Sequence, residues 1–281
     1  MQNVGTLLRD ASLRGKVRCR IGRAPPQARL MEMTMITFPN ESAEYRAARE
    51  TLLQKEIELR RAMEDVAVAR RALPPGGLVP QDYVFDGLGA DGKPARIKLS
   101  ELFSPGKDTL IVYSMMFPRH PQETRDVATS GGTAKLARAD QPCPSCTALL
   151  DQFDGAIGHL EAAGFNFAVV GKTALENLIT LGRDRGWTNM RLLSSAGNSF
   201  KRDYHAEADD GAQLPTLSVF HRDADGIRHF WSSELGFAPS EPGQDPRAIG
   251  TCEPLWNLMD FTPEGRPDWN EQLQYAGACC H

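Results

Sequence analysis

The sequence contains no apolar run near the ~18 residues that a membrane-crossing helix needs, which excludes a helical integral membrane protein. Cysteine is scarce. Six residues in a chain of 281, namely Cys19, Cys143, Cys146, Cys252, Cys279 and Cys280, are too few for a disulfide-stapled secreted scaffold. A reducing, cytoplasmic setting is the natural expectation, and there a close cysteine pair points to redox chemistry or metal binding rather than to a structural bridge. No Ser-His-Asp arrangement, phosphate-cradling glycine loop, metalloprotease motif or internal repeat is visible. A basic face is also missing. Residues 1–35 hold seven basic side chains against Asp10 and Glu32, a net of +5, so the rest of the chain carries -9 of the total -4. An acidic body of this kind argues against a nucleic-acid partner.

What is present is an ordinary globular composition, 41% hydrophobic and 24% charged. Residues 1–38 read as a disordered extension or as an upstream start taken too early. The Arg-rich, acid-poor composition would also suit a transit peptide, although Ala24-Pro25-Pro26 interrupts it. Residues 41–75 read as a long amphipathic helix over 41–72. Tyr45, Leu52, Leu59 and Val66 recur every seven residues, Asn40 or Ser42 can cap its start, and Pro74-Pro75-Gly76-Gly77 ends it. That stripe suits packing within the chain, an exchange of helices or a homodimer seam.

From residue 78 to 275 the pattern is α/β. Tyr83-Val84-Phe85 and Ile97-Lys98-Leu99 read as short strands around a glycine-rich turn at 86–93. Thr109–Ser114 and Phe165–Val170 are nearly continuous apolar runs rich in β-branched residues, the pattern of parallel strands buried on both faces. Between them stand a long polar connection at 117–142 and a helix that begins near Cys143 and ends before Gly164. A second helix at 173–185 and a strand at 191–195 follow. Leu214–Phe220 and Ile227–Trp231 then read as antiparallel strands joined at Asp225-Gly226, and a short helix is expected at 254–260.

The strongest chemical signal is Cys143-Pro144-Ser145-Cys146. Its position, at the first turn of a helix inside a strand–helix–strand unit, is the context of a thioredoxin-like redox motif. Unpaired backbone N–H groups and the positive helix end favour a thiolate at Cys143. Pro144 is tolerated at the first helical position because its missing donor would be unpaired anyway. Two intervening residues bring Cys146 close enough to resolve a mixed disulfide on Cys143. Two inert buried cysteines, or two metal ligands, are the alternatives.

Lys98-Leu99-Ser100-Glu101-Leu102-Phe103, Met115-Met116-Phe117, the Cys143–Cys146 motif, Arg185-Gly186-Trp187, Leu193-Ser194-Ser195 and the segment 258–265 together resemble a bacterial thioredoxin-like family of unknown function, over roughly residues 41–275. The resemblance implies a three-layer α/β sandwich on a central mixed sheet with an N-terminal helical extension, and it implies no established reaction. In folds of this kind a cis-proline faces the Cys-x-x-Cys turn and exposes backbone to the substrate. Pro215 followed by Thr216 stands at that place, where a trans proline opening a strand is equally ordinary. Pro142 precedes Cys143 where thioredoxins have tryptophan. Residues 115–142 also make a far longer connection than usual. Peroxiredoxins are a related possibility, but their Pro-x-x-x-Thr-x-x-Cys motif would need proline at 136 and threonine at 140, where Leu136 and Asp140 stand.

The sequence therefore predicts a thiol–disulfide oxidoreductase with Cys143 and Cys146 as catalytic residues and Pro144, Ser145, Pro215 and Thr216 contacting substrate. No cofactor and no resident metal are expected. Its partners would be a disulfide-bearing protein or small-molecule thiol and an external reductant. A metal- or ligand-binding module without turnover and a weak thiol peroxidase are the alternatives. Arg119, His120 and Arg125 would form either a basic lid over the thiolate or a solvated loop. His229 and Trp231 would share one strand face and line a pocket. Cys279-Cys280-His281 would add soft ligands or a shuttle dithiol, while Cys19 and Cys252 look incidental.

Overall fold

A computed structural model describes residues 36–275. The described residues divide into two compact units, the first ending at Val66 and the second beginning at Ala67. In the first, helix α1 (Ala43–Arg71) begins, where Ser42 Oγ accepts the Tyr45 N–H at 3.1 Å, and Glu41 binds Arg46 and Arg49 at 2.8 Å each. The expected helix over 41–72 is thus present.

The second unit is built on one seven-stranded mixed sheet. Its strands are β1 (Val84–Leu88), β2 (Pro94–Lys98), β3 (Thr109–Ser114), β4 (Asn166–Gly171), β5 (Leu192–Ser194), β6 (Thr216–Asp223) and β7 (Gly226–Ser232). They lie in the order β2-β1-β5-β4-β3-β6-β7. β3, β4 and β5 run parallel, and the remaining pairings are antiparallel. Helix α2 (Pro144–Ala162) links β3 to β4, and α3 (Leu175–Arg185) links β4 to β5. A short α4 (Phe200–Asp203) precedes β6, and α5 (Pro254–Met259) follows the sheet.

The continuous apolar runs have a direct explanation, because the sheet is covered on both faces. Along β4, Phe167 and Val169 enter one core with Leu149 and Leu150 of α2 and Leu178 and Leu181 of α3. Ala168 and Val170 enter the other, with Phe85, Leu99, Phe200 and Phe220. Burying side chains on both faces removes the alternation that a one-sided sheet would show. The thioredoxin-like three-layer arrangement with a central mixed sheet and an N-terminal helix is accordingly the fold of this chain.

Three details bear on the sequence expectations. Asp86 and Gly87 belong to β1, not to the turn. A Cβ at Gly87 would lie 2.7 Å from both Ile97 and Leu193, so glycine stands there to let neighbouring side chains close over the strand. The Leu214–Pro215 bond is trans, and the cis peptide among the described residues is Phe117–Pro118. His229 and Trp231 do not share a face. A bulge at Val219/Phe220 shifts the β6–β7 register, so His229 meets Tyr204 and Phe220 on one core while Trp231 packs on the other.

Candidate active site

Cys143 is the N-cap of α2, with extended dihedrals (φ -69°, ψ 131°), and Pro144 occupies the first helical position. The chain enters this turn on a two-way clamp. The Cys143 N–H donates to the Met116 carbonyl at 2.9 Å, and the Met116 N–H donates back to Cys146 Sγ at 3.4 Å. Met115 and Met116 directly follow β3, so the end of the central strand fixes the height of the helix start. The Tyr113 hydroxyl of β3 donates to Cys146 Sγ at 3.3 Å. Both thiols are free and buried, Cys143 at 1% and Cys146 at 2% exposure.

The two sulfurs ionise very differently. The Cys143 thiol is pulled down to about 7, first by a hydrogen bond from the Cys146 thiol, then by the Cys146 and Ser145 backbone N–H groups and the Arg125 charge, against the opposing cost of burial. Cys146 is pushed well above the usual thiol range, first by burial and then by its bond to Cys143 and the negative charge there. Within this hydrogen-bonded pair the Cys143 sulfur is therefore the one that ionises more readily, and Cys146 the one that holds a proton more tightly.

The long connection is ordered rather than loose. Arg119 is buried and donates to the carbonyls of Arg125 and Asp126 at 3.1 and 3.2 Å, and Arg138 donates to the carbonyls of Thr124 and Arg125 at 2.6 and 2.8 Å. Asp184 of α3 accepts the Gly132 and Thr133 N–H groups and the Thr133 hydroxyl at 3.1, 2.7 and 2.6 Å. These bonds bring the Arg125 guanidinium to 3.8 Å from Cys143 Sγ. Arg125 also binds Glu123 at 2.5 Å, Ser145 Oγ at 2.8 Å and Glu271 at 3.3 Å, while Ser145 Oγ donates to Glu271 at 2.9 Å. The Arg125 fork holds the Glu123 carboxyl down to about 2.

The predicted site residues therefore fall into groups. Cys143, Pro144, Ser145 and Cys146 form one turn, and Arg125 joins them through Ser145 Oγ and Cys143 Sγ. Arg119 instead supports the loop backbone, and His120 accepts the Gln122 N–H at 3.2 Å. Thr216 pairs with Ser114, one strand across from the Cys146 clamp, and its buried hydroxyl has no hydrogen-bond partner among the described residues. Pro215 precedes it, buried to an intermediate degree. Glu271 and the buried Lys201 escaped the sequence reading, because neither stands in a motif or a periodic segment. Cys252 is exposed. Cys19, Cys279, Cys280 and His281 lie outside the described residues, among which no cluster of three metal-ligating side chains occurs.

Residues 35–277 match the model of a family described as a bacterial protein of unknown function (DUF899). This chain belongs to that family. No curated protein matches the sequence. Among solved structures, a hypothetical protein from Sinorhizobium meliloti 1021 is 16% identical over 63% of this chain and 80% of its own, with a TM-score of 0.37. An uncharacterized conserved protein from Geobacillus kaustophilus is 16% identical over 61% and 73%, with a TM-score of 0.36. Reduced Prx3 in complex with hydrogen peroxide from Vibrio vulnificus is 15% identical over 62% and 91%, with a TM-score of 0.38. Likenesses of this size say nothing about the activity of the family member described here.

Proposed function

We propose that this family member is a thiol–disulfide oxidoreductase in which Cys143 is the nucleophile and Cys146 the resolving thiol. The observation that carries the reading is the placement of Cys143 as the N-cap of α2, with Cys146 three residues on and Arg125 3.8 Å from the Cys143 sulfur, an arrangement that draws the Cys143 thiol down to about 7 while burial pushes Cys146 up. In the first step the Cys143 thiolate attacks one sulfur of a disulfide. A mixed disulfide forms and the other substrate sulfur leaves as a thiolate. In the second, Cys146 gives its proton to solvent and attacks Cys143 Sγ, closing the Cys143–Cys146 disulfide and releasing the second thiolate. Two electrons pass from the dithiol to the substrate, and an external dithiol reductant restores the starting state.

The burial of Cys143 favours a small disulfide, or one strand of a protein disulfide admitted past Arg125 and Glu271. The reducing cytosol is the compartment proposed, since there the dithiol would be regenerated. A homodimer through α1 belongs to the same proposal and rests on the Tyr45, Leu52, Leu59 and Val66 repeat.

Peroxide reduction is a second reading, favoured by the same enclosure. A peroxide oxygen would convert the Cys143 thiolate to a sulfenic acid with release of hydroxide or alkoxide, and Cys146 would condense with it to the disulfide and water. Leu136 and Asp140 weigh against a dedicated peroxidase pocket. Turnover of a small disulfide and of hydrogen peroxide, each with a dithiol reductant, tests the pair. The expected result is disulfide reduction lost in Cys143→Ser, and a trapped mixed disulfide in Cys146→Ser. Equal disulfide reduction by the unchanged chain and Cys143→Ser would refute the oxidoreductase reading.

A further inference from the structure

Lys201 is wholly buried at the start of α4, an unusual place for a cation that has no carboxylate at hydrogen-bonding distance among the described residues. Its Nζ donates to the Met115 carbonyl at 2.6 Å. The N–H at the other end of that same peptide unit belongs to Met116 and donates to Cys146 Sγ at 3.4 Å. A single peptide group therefore joins the lysine to the resolving sulfur. By standard bond lengths the charge and the sulfur are separated by roughly 8 Å or less.

We propose that Lys201 is a positioning residue for the resolving step: as an ammonium on the Met115 carbonyl, it polarises the Met115–Met116 peptide and stabilises the Cys146 thiolate through the Met116 N–H. The inference rests on the oxidoreductase reading for the step that it serves. It does not rest on it for the electrostatic coupling itself.

Cys146 must lose its proton inside a core that penalises the thiolate. Besides the Met116 N–H, the groups facing it are the Tyr113 hydroxyl and Cys143, and during resolution Cys143 is tied up in the mixed disulfide and carries no charge. An ammonium needs three acceptors, and Lys201 reaches one among the described residues. Burial lowers the Lys201 amine to about 7, so its charge is readily gained and lost near neutral pH. The Cys146 charge and Glu207 favour the ammonium, and Lys172 opposes it. Glu207 is itself engaged by Lys172 at 2.9 Å and Arg202 at 3.2 Å, so its pull on Lys201 is shared. A thiolate on Cys146 and a proton on Lys201 thus stabilise one another, and by linkage the effect is reciprocal.

The two steps are resolved by reacting the full-length chain, with Cys19→Ser, Cys252→Ser, Cys279→Ser and Cys280→Ser, with dithiobis(nitrobenzoate). Attack by Cys143 releases one nitrothiobenzoate anion, and resolution by Cys146 releases the second. Adding Lys201→Met is expected to leave the first release unchanged. The second should slow about tenfold near neutral pH, as expected of a unit charge removed at this distance in a partly screened interior, with its pH profile displaced upward. A second release of equal rate and pH dependence in both chains would remove Lys201 from the step. No second release in the parent chain would overturn the oxidoreductase reading and this inference together.

A measurement without substitution at Lys201 stands beside it, in case Lys201→Met does not fold. Isotope-labelled lysine in the parent chain is titrated by NMR in the dithiol and disulfide forms. Lys201 is expected to titrate at lower pH once the disulfide forms, because the one negative charge of the hydrogen-bonded Cys143–Cys146 pair is then gone. The same midpoint in both forms would overturn the coupling.

Discussion

Arg125 carries more duties than a residue in a polar connection would be expected to have. Its fork satisfies Glu123, meets Glu271, donates to Ser145 Oγ and still reaches Cys143 Sγ at 3.8 Å. Two carboxylates share its charge, so its pull on the thiol is only one contribution beside the Cys146 thiol and the helix-start N–H groups. Arg125→Met removes that contribution and leaves Glu123 and Glu271 unbalanced next to a forming thiolate. The expected outcome is a Cys143 thiol titrating higher and an alkylation rate at pH 7 reduced about five- to tenfold. Arg125→Lys should fall between, since it keeps the charge and loses the fork. Rates measured across pH 5 to pH 10 in the three chains check this.

Among the elements, α2 and the connection before it act together. The helix supplies the N–H groups, and the connection supplies Arg125, its backbone held by Arg119 and Arg138 and its middle tied to α3 by Asp184. Gly131 adjoins that anchor in the left-handed region (φ 76°), and a Cβ there would lie 2.6 Å from the Asp184 carboxylate. Asp184→Ala should cost about 1–3 kcal/mol by leaving Thr133, 3% exposed, without its acceptor. It should also raise hydrogen exchange across residues 117–142. Chemical denaturation and exchange mass spectrometry read the two effects.

This element also shows what the sequence reveals and what it hides. The βαβ unit and the cysteine turn were legible, because an apolar run, a helix-start proline and two thiols at fixed spacing are local signals. The order of the connection was not, since its bonds join Asp184 to Thr133 and Arg119 to Arg125 across a segment with no periodicity. Nor was the bulge that separates His229 from Trp231, because one extra residue in a strand leaves the period-two pattern looking intact. Lys201 was invisible for a third reason: a lone lysine reads as surface, and only the peptide between it and Cys146 gives it meaning.

At the scale of the whole molecule, these groups couple folding to pH. Cys143 has a folded value of about 7 against about 8.5 when free, so between those limits the unfolded chain binds more protons and stability rises with pH. Lys201, at about 7 against 10.5, has the same sign from pH 7 upward. Cys146 has the opposite sign above pH 9, because there the unfolded chain gives up a proton that the folded one keeps. The dithiol form should therefore gain stability from pH 7 to pH 9. The disulfide form should gain less, having lost the Cys143 contribution. Urea midpoints of both forms across that range check the sign.

The most direct measurement is the iodoacetamide alkylation rate of Cys143 as a function of pH, followed by peptide mass spectrometry in the unchanged chain. A single ionisation near pH 7, with Cys146 unmodified until far more alkaline pH, is the predicted result. A Cys143 midpoint at the ordinary free-thiol value of about 8.5, or equal labelling of both sulfurs throughout, would contradict the account.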